Sequence, residues 1–302
     1  QNIFSKVWIY DSTYNYGYPI LKNFDGTINT NTVLHTGNGS ESSPYLINHG
    51  GRLDWIRTVQ INSNSNNYFK QVHDIDMSAY SDTFTTVSSV NNSNRSFVAN
   101  KKANYNYFMY DGGNYIVNNL KLDGKNNKNN SDYLSLFAQA HEIKNLGVDV
   151  TITNAKQKYV GGIVAFMDTT ATVYVSADSS KRKYVGDYTG FYCSKIDNCF
   201  VNLNIEVQDT SQFIGGIVGK SQDYDLQVYG SYNLYNKYNS LVVTNSFAIG
   251  KIKYNGTTLT NELYMGGLCG QYGDFDESNY SAVSLIENIT TGSNQKHLTP
   301  IC

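Results

Sequence analysis

A hydrophobic residue, two glycines and two further hydrophobic residues recur along this chain. They appear as Val160-Gly161-Gly162-Ile163-Val164, Ile214-Gly215-Gly216-Ile217-Val218 and Met265-Gly266-Gly267-Leu268-Cys269. The intervals are 54 and 51 residues (215 − 161 and 266 − 215). Self-similarity at such a period marks repeat architectures, where each unit buries its apolar face only against its neighbours. A second motif keeps step with the first: Ile143-Lys144-Asn145-Leu146, Ile196-Asp197-Asn198-Cys199, Val243-Thr244-Asn245-Ser246 and Ile286-Glu287-Asn288-Ile289. Its asparagines lie 53, 47 and 43 residues apart (198 − 145, 245 − 198 and 288 − 245).

Between the motifs, residues 148–152, 201–207 and 241–252 alternate apolar and polar side chains, the pattern of half-buried strands. Glycine, asparagine and serine punctuate them every few residues. The chain therefore reads as all-β, a parallel β-helix whose coils each add about 4.8 Å. If a coil takes roughly 20 to 27 residues, one repeat holds two coils and the two motifs mark successive ones. The paired glycines suit either corners at positive φ or places where backbones approach too closely for a Cβ. The asparagines suit left-handed turns whose amides hydrogen-bond from coil to coil. One helical pattern interrupts the strands: over 48–60, Leu53, Trp55, Ile56 and Val59 form a stripe behind a candidate Asn48 cap, which predicts a short helix laid over the N-terminal end.

Composition removes several functions. A formal charge of −2 and a pI near 6.2 give no electrostatic footprint for nucleic acid. Lys181-Arg182-Lys183 is a compact basic run of the kind that sits in a solvated loop. No apolar stretch approaches the roughly 18 residues of a membrane helix, and Gln1 opens no leader pattern, so the chain reads as soluble with any leader already removed. Polar character comes from 38 asparagines and 26 tyrosines rather than from charge, and so many asparagines make acceptor sequons such as those at Asn38, Asn91, Asn94, Asn129, Asn255 and Asn288 weak evidence of glycosylation.

These residues resemble the GLUG-motif family of bacterial surface proteins. The repeats of that family read as hydrophobic-Gly-Gly-hydrophobic-Val-Gly followed by a strand that begins Ile-x-Asn-Cys, and residues 212–220 match closely. The likeness extends upstream through Gly37-Asn38-Gly39-Ser40, Ser43-Pro44-Tyr45-Leu46-Ile47, Asp74-Ile75-Asp76-Met77 and Asp111-Gly112-Gly113-Asn114, and covers roughly 36–292. It implies a right-handed parallel β-helix with a short N-terminal capping helix, in secreted or cell-surface proteins without common catalytic residues. Ser135-Leu136-Phe137-Ala138 departs by lacking the glycine pair, and Cys269 stands where Val is usual. Trp8 with Asn15-Tyr16-Gly17-Tyr18-Pro19-Ile20-Leu21 is similar to the segment that closes such helices. The expected division is thus 1–25, the closing segment of a preceding module or an N-terminal extension, and 26–302, the β-helix.

No catalytic constellation emerges. Parallel β-helices host polysaccharide lyases and glycosidases, and a hydrolase needs two opposed carboxyls. Asp74 and Asp76 share a strand, but a structural or turn-capping role is expected for them, with calcium as the lesser reading. Asp123, Asp149 and Asp197 are scattered, as are His35, His49, His73, His141 and His297. Cys193, Cys199, Cys269 and Cys302 lack zinc spacing. Cys199 is expected to be a small buried residue in the slot of Leu146 and Ile289, and a disulfide stays open for the others. No metal or cofactor is expected. The insertions after each glycine pair, 167–190, 221–240 and 270–282, are expected to emerge on one face. They carry Tyr174, Tyr184 and Tyr188; Tyr224, Tyr229, Tyr232, Tyr235 and Tyr238; and Tyr272 and Tyr280. Such rings suit contact with sugars or proteins, or fold down over strand edges. The expected function is a non-enzymatic extracellular structural or adhesive module whose partners are like subunits, adjacent modules, surface glycans or a host protein. The alternative is a β-helix polysaccharide lyase or hydrolase of the phage depolymerase kind.

Overall fold

The computed structural model describes residues 8–9, 20–21, 37–56, 67–80, 108–125, 132–167, 194–221, 223–225, 237–239, 241–259, 261–271, 274–275, 277–291 and 296–299. Three parallel sheets, of eleven, five and four strands, wind around one apolar axis. Strands 52 to 54 residues apart are direct neighbours, since Val148 pairs with Val201, Val160 with Ile214 and Val164 with Val218. One repeat is therefore one coil, not two. The two motifs lie on different sheets of the same coil: the asparagine motif on the long sheet, and the glycine pair between the two short ones.

A coil is wide because its long-sheet strand is long. Glu142–Ala155 runs for 14 residues, and the next coil divides the same path into Ser194–Asp197 and Phe200–Val207. The alternating pattern sends Val148, Val150 and Ile152 inward, over which Val201, Leu203 and Ile205 stack. The two short strands follow: Tyr159–Gly161 pairs with Phe213–Gly215, and Val164–Met167 with Val218–Ser221. A coil without an insertion needs 33 residues, the step from Phe247 to Tyr280 or from Tyr264 to His297 (280 − 247 and 297 − 264).

The glycine pairs answer to close approach rather than to positive φ, which among the described glycines belongs to Gly39, Gly113 and Gly250. A methyl group on Gly161 would sit 2.0 Å from the Val164 carbonyl oxygen and 2.9 Å from the Gly219 nitrogen of the next coil. One on Gly216 would meet the Gly267 carbonyl oxygen at 2.0 Å. The chain thus folds back on itself at an acute corner, where neighbouring short strands touch backbone to backbone. Ile163, Ile217 and Leu268 fill the inside of that corner. In the coil before that of Gly161, Leu134 pairs with Val160 and Phe137 with Val164, so Ser135-Leu136 spans the corner with one residue fewer. The Ser135 hydroxyl donates to the Phe137 carbonyl there.

The asparagines do adopt left-handed backbone: φ is 54° at Asn145, 52° at Asn198 and 49° at Asn245. Asn288 does not belong with them. Lys253 pairs with Ile286 and Thr258 bridges Thr291, which puts Asn288 level with Asn255 one turn further along. The bend of the last coil is made instead by Ser278 and Asn279, which accept hydrogen bonds from the Asn245 and Ser246 backbone nitrogens at 2.7 and 3.1 Å. Left-handed backbone costs an ordinary residue roughly 1–2 kcal/mol. Asn198→Ala should therefore lower stability by about 2 kcal/mol, and Asn198→Gly, which keeps the bend and loses only the amide bonds, by about half as much. Equal losses in urea titrations would remove the backbone argument.

The N-terminal end is covered by a helix (Gly50–Trp55) of six residues. His49 caps it, its Nδ1 accepting from Arg52 N at 3.3 Å, so the cap is one residue later than the sequence pattern places it. Leu53, Trp55 and Ile56 are buried, and the Arg52 guanidinium lies 4.0 Å from the Trp55 ring centre. Beneath it Tyr45, Phe69, Phe108 and Phe137 stack along the axis, with centroids 5.1 to 5.4 Å apart. In residues 1–25, Trp8–Ile9 pairs antiparallel with Ile20–Leu21. No helix among the described residues is long and apolar enough to cross a membrane.

Candidate recognition faces

Aspartates fasten one coil to the next by a repeated device. Asp111 accepts from the Gly113 nitrogen two residues on and from Asn145 Nδ2 of the following coil, both at 2.9 Å. Asp76 does the same with Ser78 N and Asn119 Nδ2, at 2.9 and 3.0 Å, and Asp123 with Lys125 N and Asn154 Nδ2, at 2.9 and 3.1 Å. Asp197 takes Thr244 Oγ1 at 2.7 Å and Asn245 Nδ2 at 3.0 Å, while Asn198 Nδ2 donates to Asn145 Oδ1 at 2.9 Å. Each amide so held belongs to a residue with positive φ. A left-handed bend in one coil is thereby tied to a polar side chain in the coil below.

These contacts account for the acids singled out in the sequence. Asp74 accepts from Ile116 N and Asp149 from Asn202 Nδ2, both at 2.9 Å, while Asp76 caps a turn as expected. Among the described residues no group of three or more His, Cys, Asp or Glu could hold a metal ion. Cys199 is buried, and burial pushes its thiol up to about 12, so it packs as a small apolar residue. Its sister in the third coil is Ser246 rather than Ile289, because Asn288 is out of register. Cys193 and Cys302 lie outside the described residues, as do His35 and Lys181-Arg182-Lys183.

Titration follows from these surroundings. Burial pushes His141 down to about 4. An unfolded histidine titrates near 6.5, so neutral His141 supports the fold above that pH, and the contribution is lost as pH falls from about 6.5 through 4. Burial disfavours ionised Asp197, but the bonds from Thr244, Asn245 and Lys195 together outweigh it and hold the carboxyl below its ordinary range. Hydrogen bonds from Lys296 and Ile289 do the same for Glu287. Their contributions are present above the unfolded carboxylate value of about 4 and disappear below it. Melting curves should therefore show two acid losses, and His141→Gln should flatten only the upper one. An unchanged slope between pH 6.5 and 4 in that variant would contradict the assignment.

Two rows of rings decorate the outside. Tyr133, Tyr159, Phe213, Tyr264 and His297 stack from coil to coil on the five-stranded sheet, with centroids 4.3 to 5.4 Å apart and planes within 19°. Across the glycine corner, Phe166 lies 5.1 Å from Tyr159, and Lys220 Nζ lies 4.2 Å from the Phe213 centroid. This seam closes the corner that the glycines open. The sequence shows it once the repeats are superposed, because Tyr159, Phe213 and Tyr264 each stand two residues before a glycine pair. The second row, Phe200, Phe247 and Tyr280, lies on the long sheet just past the asparagine bends and becomes more exposed toward the last coil.

Insertions leave the four-stranded sheet after the stacked residues Met167 and Ser221 and return at the stacked residues Ser194 and Leu241, whereas in the last coil Gln271, stacked on Lys220, is joined to Asp274 by two residues only. The second insertion opens with an antiparallel pair, Asp223–Asp225 with Lys237–Asn239, setting Tyr224 opposite Tyr238. Tyr280 is not on an insertion: it starts the last long-sheet strand (Tyr280–Ile286), away from that corner. Tyr174, Tyr184, Tyr188, Tyr229, Tyr232, Tyr235 and Tyr272 lie outside the described residues.

No family model matches the chain, and no curated protein matches it. The chain is similar in structure to a crystal structure of a putative immunoglobulin A1 protease from Bacteroides ovatus, at 16% identity and a TM-score of 0.47. The match covers 88% of this chain and 76% of that one. At that score the likeness carries no argument about activity.

Proposed function

We propose that this chain is a non-catalytic extracellular module, a stiff β-helical rod that presents its insertions to glycans or to a protein surface. The observation that carries this reading is the common corner: two tyrosine-bearing insertions, 168–193 and 222–240, leave the rod after the stacked Met167 and Ser221 and rejoin it at the stacked Ser194 and Leu241, so both are attached to one flank of a rigid support. Engagement of Asp76, Asp111, Asp123 and Asp197 between coils supports it, because those acids serve cohesion. The kinship to GLUG-motif surface proteins is part of the same reading. The glycine pairs that suggest it hold an equivalent corner in the coils of Gly161 and Gly215. Like subunits and adjacent modules are natural partners of such a rod.

The test uses the last coil as a template, since Gln271 and Asp274 are joined there by two residues. Replacing 168–193 and 222–240 by two-residue links should leave the fold intact, because loop length contributes only about 0.6 kcal/mol per doubling. Binding to a glycan array and to host-cell protein extracts should disappear. Retained binding would overturn the role of the loops, and new reducing ends or unsaturated uronates from a polysaccharide panel would overturn the non-catalytic reading.

A further inference from the structure

An asparagine followed by glycine is open to spontaneous chemistry, because glycine has no side chain to shield its nitrogen from the neighbouring side-chain carbonyl carbon. The chain contains two such pairs, Asn38-Gly39 and Asn255-Gly256. Elsewhere the rod holds its asparagines against that attack. Asn145, Asn154, Asn198 and Asn245 donate their amides to Asp111, Asp123, Asn145 and Asp197. The nitrogens that follow two of them are held as well: Cys199 N donates to Ser246 Oγ and Ser246 N to Asn279 Oδ1, both at 3.1 Å.

The two glycine-followed asparagines sit in different surroundings. Asn38 Oδ1 accepts from Ser40 N at 3.0 Å, Gly39 N donates to Ser43 O at 3.0 Å, and Gly39 is buried with φ at 79°. The carbonyl to be attacked and the attacking nitrogen are both engaged there. Asn255 and Gly256 instead lie in an irregular stretch between Phe247–Tyr254 and the Thr258 bridge. Asn255 is exposed, and among the described residues neither its side-chain amide nor the Gly256 nitrogen makes a hydrogen bond. This is not the freedom of an open end, because coils lie on both sides: Asn255 N donates to Val207 O at 2.9 Å in one, and Thr257 O accepts from Thr290 N at 2.8 Å in the other.

We propose that Asn255 is a site of spontaneous deamidation, and that the fold directs the reaction to it and away from Asn38. Gly256 N bonds to Asn255 Cγ, the Cγ–Nδ2 bond breaks, and the proton lost by Gly256 N leaves with Nδ2 as ammonia, which gives a cyclic succinimide. Water then adds to Cγ and frees Gly256 N, leaving aspartate, or adds to the Asn255 main-chain carbonyl carbon, leaving isoaspartate. Either product places a new negative charge at this turn. Isoaspartate also carries the main chain through an extra methylene, at the joint that Thr257 makes with the following coil.

The folded protein is aged in warm, mildly alkaline buffer and mapped by peptide mass spectrometry, beside the same protein aged in urea. In the folded protein Asn255 should convert about tenfold faster than Asn38 or more, since the contacts of Asn38 and Gly39 must break before reaction there. In urea the two sites should convert at similar rates, because each is followed by glycine. Equal rates in the folded protein would overturn the proposal, and so would a preference for Asn255 that persists in urea, which would assign the selectivity to local sequence instead of the fold.

Discussion

Gly216→Ala should cost about 4 kcal/mol or more and lower the melting temperature by roughly 10 °C, or prevent folding altogether. The added methyl group has no room: the Gly267 carbonyl oxygen would lie 2.0 Å away and the Ala248 methyl 3.0 Å away. Both belong to the stacked coil above, so relief requires separating coils that share hydrogen bonds such as Gly216 N to Gly266 O. Gly147→Ala is the matched control. Its methyl group would meet only Ile116 side-chain atoms, the nearest at 2.9 Å, and a side chain can turn away. Thermal melts should therefore separate the two variants by several kcal/mol, and similar losses would mean that the corner is looser than described.

Gln71→Ala should cost roughly 3 kcal/mol, because one side chain serves three partners. Gln71 is fully buried; its Nε2 donates to the His73 and Ile116 carbonyls at 2.9 and 3.2 Å, and its Oε1 accepts from the Tyr110 hydroxyl at 2.9 Å. Truncation leaves a buried hydroxyl without its acceptor and opens a void below the capping helix. Tyr110→Phe alone should cost about 1 kcal/mol, and in the double variant the losses should fall short of additive, since the orphaned hydroxyl is gone. Additive losses in a double-mutant cycle would show that the pair is not coupled.

The fold was legible because its two constraints leave residue-level marks. A corner without space for a Cβ demands glycine at each coil, and a left-handed bend fastened to its neighbour favours asparagine. What these marks do not encode is distance along the chain. Dividing the repeat length by the size of a narrow coil gives two coils, whereas Glu142–Ala155 alone spans 14 residues and insertions add to the path. Asn288 repeats the local pattern of the bends, but the last coil has no insertion, so that pattern arrives one turn late. Tyr280 falls on a strand rather than an insertion for the same reason. The aromatic seam of Tyr159, Phe213 and Tyr264 is hidden in a chain with 26 tyrosines, since only superposed repeats reveal its fixed offset from the glycines. The aspartate and asparagine contacts were legible only as turn chemistry. That these Asp side chains reach an Asn 31 to 53 residues later depends on coil length, which the motifs do not encode.

The central claim, one coil per repeat, can be tested by joining Asp149 and Asn202, which pair directly across neighbouring coils. Adjacent parallel strands lie about 4.8 Å apart, within reach of a disulfide, whereas two coils would separate them by about 10 Å. In a Cys193→Ser, Cys302→Ser background, Asp149→Cys with Asn202→Cys should oxidise quantitatively within one molecule, as peptide mapping would register. The pair Asp149→Cys with Ile249→Cys, two coils apart, should not. Failure of the first pair, or bonding of the second, would contradict the coil described here.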